Sequence, residues 1–270
     1  MSPQSTGLTR AEAYILVALV VCGIGWLFMP VIPQLQSYHD FADQRAWLGI
    51  PNAADVLSNL GFAIVGLLGL WRMKQAWSAL VLAVRLCLIV FFAGFLVTTF
   101  GSGYYHWNQS DGTLVYDRLA MTISFAGMLG TLLAMRVSVR SGFAVLVLLL
   151  IVGPCSVLYW QKTGDLSLYG LVQFGGLLAA FLLLILTPKG SDPFPWWRLV
   201  VWYAVAKGFE AADTLIWHAT HGIVGGHALK HLAAAMSGLV IANALHRLSK
   251  SGSAELRGAA NLADRGSTGS

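Results

Sequence analysis

Charged residues are scarce in this chain of 270 residues. Asp, Glu, Lys and Arg together make up 11% of it, whereas hydrophobic residues make up 57%. Soluble globular domains carry about 25% charged residues, so this composition argues against an ordinary soluble domain. The 17 Lys and Arg residues are dispersed between apolar segments and are not grouped on one face, which argues against a nucleic-acid-binding protein.

Cysteine is scarce as well. Cys22, Cys87 and Cys155 all lie within apolar segments and form no CxxC pair. This spacing implies no disulfide, and we expect the three side chains to be small core residues. The chain also lacks a long soluble domain, a linker and an obvious short repeat between its apolar segments.

What the chain has in abundance is apolar segments of roughly 20 residues, the length that crosses about 30 Å of hydrocarbon. We therefore predict an all-α integral membrane protein with about eight transmembrane helices. The first segment lacks a basic amino-terminal region and an Ala-x-Ala cleavage site, so we expect a retained span and not a signal peptide. The predicted spans are residues 11–32, 53–72, 78–102, 114–135, 143–161, 168–187, 196–216 and 227–247.

Basic residues orient this bundle, because positive charge accumulates in cytoplasmic loops. The loops after the third and seventh spans carry none, and Arg45 and Lys162 are isolated on that same side. This pattern predicts that both termini are cytoplasmic. The basic residues of the other side are Arg72, Lys74, Arg136, Arg140, Lys189, Arg198, Arg247, Lys250 and Arg257.

Two histidines, His227 and His231, lie four residues apart at the start of the last span. Four residues is just over one helical turn, so both imidazoles project from one face. Such a pair binds zinc in some proteins, although a histidine in a membrane helix also packs with a hydrogen bond to a backbone carbonyl. His106 and Asp117 lie at the same predicted membrane depth, so we expect a polar cluster there. Three imidazoles with an open position are typical of a catalytic zinc site.

Two serines belong to the same predicted end of the bundle. Ser102 lies one turn before His106, where its hydroxyl either bonds the carbonyl four residues earlier or points towards the zinc site. Ser58 begins the second span at that end. Asp117 has the chemistry of a general acid or base for an activated water.

The spacing of these residues resembles the alkaline ceramidase family. The shared pattern is a serine four residues before a histidine, an aspartate eleven residues after that histidine, a methionine behind it, and a late histidine pair. These positions are Ser102, His106, Asp117, Met121, His227 and His231. Asp55-Val-Leu-Ser58-Asn59 resembles the family's first-helix segment. The likeness covers residues 38–247, and it extends to a wider group of membrane hydrolases and receptors that includes the adiponectin-receptor-like proteins.

The resemblance implies a seven-helix core, with one span added in front of it. The chain would divide into an N-terminal span over 1–37, a ceramidase-like hydrolase domain over 38–248 and a cytoplasmic tail over 249–270. The Ser- and Gly-rich composition of that tail predicts disorder.

The resemblance also implies roles for individual residues. His106, His227 and His231 would hold zinc, Asp117 would act as acid and base, and Ser102 would support the oxyanion.

Two further residues would support the site. Asp213 matches a family aspartate and is expected to tether a polar network near the zinc. Ser58 would support the site from the second span.

The chain departs from the family at three positions close to the site. Arg118 and Ala120 replace a glutamate and a proline that follow the family's catalytic aspartate. Lys230 replaces an aromatic residue just before the last histidine. These changes bear on the identity of the substrate more than on hydrolysis itself.

The family's ceramidases bind calcium through an acidic amino-terminal segment. Asp40 and Asp43 keep two of the carboxylates of that segment. Asn52 stands where the family has a later glutamate, and a further family asparagine aligns close to Arg45. The segment is therefore either a calcium site that includes Asp40, Asp43 and Asn52 or a solvated outer loop.

The function that the resemblance implies is zinc-dependent hydrolysis of a ceramide-like lipid amide, which gives a fatty acid and a free amine. The alternative is a non-catalytic receptor or sensor built on the same zinc cage. A transporter is disfavoured, because its ionisable residues would lie at the membrane midplane. We expect a membrane lipid as the partner, and the active site should face the extracytoplasmic side.

Overall fold

A computed structural model describes the backbone of residues 8–267 and the side chains of residues 8–251. This part of the chain forms eleven α-helices and no extended strand. The helices are α1 (Arg10–Trp26), α2 (Ala53–Ser58), α3 (Leu60–Gln75), α4 (Leu82–Trp107), α5 (Asp111–Arg136), α6 (Val139–Thr163), α7 (Ser167–Gly170), α8 (Gly176–Leu186), α9 (Trp196–Ala211), α10 (Asp213–Ala219) and α11 (Gly226–Ser267).

Hydroxyl side chains fix where several helices begin. The hydroxyls of Thr9, Ser110 and Ser138 accept hydrogen bonds from backbone N–H groups in the first turns of α1, α5 and α6. These N–H groups have no partner within the helix, so the caps satisfy donors that would otherwise be unpaired. At its other end, α6 stops at Gly164, whose φ of +74° suits glycine.

Six helical segments of the described chain are long and apolar enough to cross a membrane, which indicates an integral membrane protein. The all-helical prediction is thereby confirmed in its coarse form. The six segments are Ala53–Gln75, Leu82–Trp107, Asp111–Arg136, Val139–Thr163, Ser167–Leu186 and Gly226–Ser251.

The predicted count of eight spans is not confirmed. Helix α1 has only 17 residues, which reach about 25 Å at 1.5 Å per residue. Helix α9 has 16 residues and contains Lys207 and Glu210, and a break at Ala212 separates it from α10. The two predicted spans are longer than helices α1 and α9, because the apolar sequence continues past the residues at which these helices end.

The two ends of the bundle are distinct. The histidine end, as we call it, holds the close of α4 at His106, the beginning of α5 at Asp111 and the beginning of α11 at Gly226. The opposite end holds the turn from Arg136 to Val139 between α5 and α6.

Helices α1 and α9 connect these two ends despite their length. At the opposite end, Glu12 of α1 pairs with Arg140, and at the histidine end Trp26 donates a hydrogen bond to Ser167. Helix α8 leaves the histidine end, and α9 brings the chain back, so that the Phe209 carbonyl lies against Gly226 of α11.

The core of the bundle lies between α3, α4, α5 and α11, where Phe92, Leu88, Leu132 and Leu245 are fully buried. Helices α4 and α5 approach closely at Gly127, where an added Cβ would lie 2.3 Å from the Phe91 backbone nitrogen. Such small-residue contacts let membrane helices pack backbone against backbone. The contact fixes α5, and with it Asp117, relative to the end of α4.

Helix α11 continues to Ser267, whereas the composition predicted a disordered tail from Ser249. Residues 249–267 contain four Ala, two Leu and two Arg, and all three residue types have high helix propensity. Residues 1–7 of the predicted N-terminal span and residues 268–270 of the predicted tail lie outside the described residues.

Candidate metal centre

Three histidines from two helices meet at the histidine end. Within the described chain, the only group of three or more candidate His, Cys, Asp or Glu ligands consists of His106, His227 and His231, whose ligand atoms lie within 4.8 Å of one another. All three side chains are buried. Two nitrogens on one tetrahedral zinc ion lie about 3.4 Å apart, so the rings need only a small approach to bind a metal.

Each histidine is held by a neighbour that lies outside the cluster. The Ser58 hydroxyl lies 2.8 Å from Nδ1 of His231, which leaves Nε2 of that ring for a metal. The Asn52 amide donates a 2.9 Å hydrogen bond to the backbone carbonyl of His106. Ser58 thus contacts the ring of His231, as partners that orient metal-binding imidazoles and fix their tautomers do, whereas Asn52 holds the backbone at His106.

The beginning of α11 is held by Asp213. One carboxylate oxygen of Asp213 accepts a 2.9 Å hydrogen bond from the His227 backbone nitrogen, and the other accepts one from the Ala42 backbone nitrogen. Gly226 permits this approach, because a Cβ there would lie 2.3 Å from the Phe209 carbonyl oxygen. Asp213 therefore tethers the helix that carries the histidine pair to the loop before α2.

The donor atoms fit a metal ion. Nδ1 of His106 is buried and has no hydrogen-bond partner, which is costly for a polar atom unless something binds it. The Phe41 ring covers the cluster, with its centroid 4.1 Å from that of His227 and 5.0 Å from that of His106. Three buried imidazoles under an apolar cover are a suitable cage for a divalent ion of the zinc type.

Asp117 and Ser102 lie beside this cage. Both side chains are buried, and both line the same narrow cavity. With His231 and Lys230, they lie on the wall of this cavity, which has a volume of about 110 Å³. Apolar residues, among them Phe62 and Phe95, supply much of the remaining wall.

A second, wider cavity of about 780 Å³ shares Asp117 with the narrow one. Its walls come from the loop after α1, from α5, α9 and α11, and from the segment 167–175. Part of that segment, Leu171–Gly175, is a π-helical turn, which places Gln173 on the cavity wall. Turns of this kind often occur at functional sites.

Sequence reasoning missed several residues of this region. The Lys230 ammonium lies 3.0 Å from Nε2 of His227 and 3.0 Å from Glu210, which also pairs with Lys207. The sequence indicated only the contact between Lys230 and His227, since Lys230 lies between the two histidines of the pair. Nothing in it indicated that Phe41 contacts the histidine cluster.

The residues expected to bind calcium have other partners. Asp40 is exposed, and both carboxylate oxygens of Asp43 accept hydrogen bonds from Arg45, at 2.9 and 2.7 Å. Burial raises the pKa of Asp43, but the hydrogen bonds from Arg45 outweigh it and hold that pKa below its ordinary value. The Asn52 amide donates to the His106 carbonyl. These contacts do not fit a calcium ion, since a guanidinium already neutralises Asp43 and the Asn52 amide points its N–H at a carbonyl.

Most of the other predicted site residues converge. Ser58, Ser102 and Asp117 lie around the three histidines, while Asp213 lies behind the histidine pair. Comparison with known proteins identifies no relative, since no protein-family model and no curated protein matches this chain.

Proposed function

We propose that this protein is a zinc-dependent hydrolase that cleaves the amide bond of a membrane lipid. The single observation that carries the proposal is a buried carboxylate, Asp117, which lines the same cavity as His231 of a three-histidine cage inside a membrane bundle. A carboxylate in that position is suited to proton transfer, and an apolar cavity beside it is suited to an acyl chain. The resemblance to alkaline ceramidases supports the same reaction.

Zinc is the metal that this donor set favours. Three neutral imidazoles that leave one position open are typical of catalytic zinc sites. His106, His227 and His231 would hold the ion, and Ser58 would orient the His231 ring. Zinc in such a cage polarises a carbonyl group and makes water nucleophilic near neutral pH.

The protein's own residues would manage the protons. Asp117 takes a proton as water adds to the amide carbon, and it gives that proton to the nitrogen when the C–N bond breaks. The products are then a fatty acid and a free amine. The Ser102 hydroxyl lines the same cavity as Asp117 and can turn towards the developing oxyanion.

The position of Asp117 favours a hydrolase over a receptor with the same cage. A receptor needs the metal only as a structural brace, and such a site would fill its fourth position with a protein ligand. Here the described part of the chain supplies three histidines only. The carboxylate beside them opens onto both cavities.

We also propose that the histidine end faces the extracytoplasmic side. The loops at the opposite end carry most of the basic residues, including Arg72, Arg136, Arg140 and Lys189. A lipid amide of the outer leaflet would then reach the cavities from the side at which Asp117 lies.

The proposal is tested by replacing the carboxylate. Purified protein loaded with zinc should release fatty acid from an N-acyl lipid amide, and Asp117→Asn should lower turnover by about 10²-fold or more while zinc content is retained. Asp111→Asn is the matched control, since Asp111 lies on the same helix but lines neither cavity. Equal turnover in Asp117→Asn and wild type would contradict the proposal. A wild-type protein that binds zinc but cleaves no amide would favour the receptor.

A further inference from the structure

Arg118 is an unusual residue for its position. It follows Asp117 on α5, lies about two turns inside a membrane-spanning helix and is only 6% exposed. An arginine at such a depth is costly, and in membrane proteins it usually faces an interior cavity with a function. Arg118 does so, because it lines the wide cavity next to Asp117.

Three aromatic rings hold the guanidinium in place. Its central carbon lies 4.1 Å from the centroid of the Trp160 ring, 5.0 Å from that of Tyr169 and 5.6 Å from that of Tyr38. Cation–π contacts stabilise the charge through the face of the guanidinium, which leaves its edge free for hydrogen bonds. The rings therefore fix the orientation of the Arg118 N–H groups without using them.

The edge of Arg118 is only partly used. Its Nη2 donates a 2.6 Å hydrogen bond to Gln34, whereas Nη1 is buried and has no partner. Among the described side chains, no carboxylate forms an ion pair with Arg118. A buried guanidinium with an unpartnered N–H group and no ion-paired carboxylate is ready to bind an anion.

The remaining charges of the cavity do not supply that anion. Glu210 is paired with both Lys207 and Lys230 across the cavity, so its charge is already neutralised. Asp117 precedes Arg118 on α5 and lines the same cavity, but it forms no ion pair with Arg118. The lining thus has three cations and two carboxylates, which gives it a net positive charge.

We propose that the wide cavity binds a lipid whose headgroup carries a carboxylate or a phosphate, and that Arg118 binds this anion. The inference rests on the proposed hydrolysis of a lipid amide and specifies the substrate as an anionic one. A guanidinium binds either oxyanion through two parallel N–H groups, and the Nη1 group of Arg118 is available for this. Because Arg118 follows Asp117 directly, the anion would lie close to the bond that is cleaved.

The test compares three lipids that share one acyl chain. These are N-hexadecanoylglycine with a carboxylate, N-hexadecanoylethanolamine phosphate with a phosphate, and neutral N-hexadecanoylethanolamine. Binding to the zinc-loaded protein in a neutral detergent is measured by calorimetry, and release of hexadecanoate is measured separately. Wild type should bind at least one anionic lipid about tenfold or more tightly than the neutral lipid, and the tighter of the two identifies the headgroup.

Variants assign the preference to Arg118. Arg118→Gln should lower affinity for the anionic lipid by about tenfold to a hundredfold and leave the neutral lipid unaffected. Arg85→Gln is the matched control, since Arg85 also lies over a tryptophan, Trp77, and donates to a carbonyl but lines neither cavity. Zinc content equal to that of wild type shows that each variant is folded.

Several results would overturn the inference. Equal affinity of the wild-type protein for the neutral lipid and for both anionic lipids would contradict the inference. This outcome needs no variant, so it holds even if Arg118→Gln fails to fold. An equal loss for all three lipids in Arg118→Gln would reduce the residue to a structural role. If added hexadecanoate bound in an Arg118-dependent way while neither anionic amide did, Arg118 would belong to a product site. If the anionic lipids bind preferentially but are not cleaved, the proposed hydrolase activity is wrong and the anion site stands. If the lipids are cleaved without a preference for charge, the anion site is wrong and the hydrolase activity stands.

Discussion

Both ends of the bundle bury charged and polar side chains, but they treat them differently. At the opposite end, Arg136 and Asp192 are both buried and form an ion pair with a distance of 2.6 Å. Asp192 also accepts hydrogen bonds from the Phe194 backbone nitrogen and the Trp196 indole. Every oxygen of that carboxylate is thus used, as expected for a buried charge whose role is structural.

At the histidine end, buried polar atoms lack partners. Both carboxylate oxygens of Asp55 are buried without a hydrogen bond, although this side chain is only 1% exposed. The described side chains contain eight such unpartnered atoms, and six lie at the histidine end, on Asp55, Asn59, His106, Gln109 and Arg118. The other two, on Arg72 and His246, lie at the opposite end.

The difference between the ends fits the function proposed for the histidine end. A membrane protein loses stability for each buried polar group that it leaves unpaired, so selection for stability alone would remove them. Where they persist together, the missing partner is typically a ligand. The histidine end combines unpaired groups with cavities, whereas the opposite end holds its charges in a closed network.

The most decisive experiment on this comparison asks which end faces the cytoplasm. A cysteine at Gly112, where an added Cβ meets only the Ser110 hydroxyl at 3.8 Å, should react with a membrane-impermeant thiol reagent in intact cells. A cysteine at Ser191, in the exposed loop between α8 and α9, should react only after the cells are opened. The wild-type protein, whose cysteines lie in apolar helices, is the blank. Labelling in the reverse sense would place the site in the cytoplasm.

The next largest effect concerns metal content, and α11 supplies a matched pair of histidines. His231→Ala should remove most of the bound zinc, because it deletes one of three protein ligands. His246→Ala, on the same helix at the opposite end, also removes a buried and unpartnered Nδ1, and it should leave the zinc unchanged. Metal analysis of both purified variants shows whether zinc binding requires His231 but not His246. Equal zinc in His231→Ala and wild type would rule out the cage as described.

The sequence predicted the cluster well because its evidence was local and topological. The spacing of His227 and His231 fixes their common face, and the alternation of spans and loops brings His106 and Asp117 to the same end. The partners of those residues depend on long-range packing, which no local pattern encodes. Asn52 is an example, since it was expected at a calcium site but donates to the His106 carbonyl.

The same distinction explains the span count. Hydropathy predicts where a chain can be buried in lipid, but the residue at which a helix ends depends on caps and on packing. Helix α9 ends at Ala211, and after the break at Ala212 the Asp213 side chain bonds the beginning of α11 and the Ala42 nitrogen. The sequence showed polar residues in that span without showing what they contact.

The smallest expected effect is a difference in stability between variants of two buried carboxylates, Asp192 and Asp55. Asp192→Asn should lower the free energy of unfolding by about 3 to 5 kcal/mol, because it leaves the buried Arg136 without its counter-charge. Asp55→Asn removes no hydrogen bond, so its free energy of unfolding should stay within about 1 kcal/mol of wild type or rise. Both are measured by denaturant titration in mixed micelles, with zinc content checked to be equal. A loss in Asp55→Asn as large as that in Asp192→Asn would mean that the Asp55 carboxylate has a partner of its own, and the contrast between the two ends would then fail at that residue.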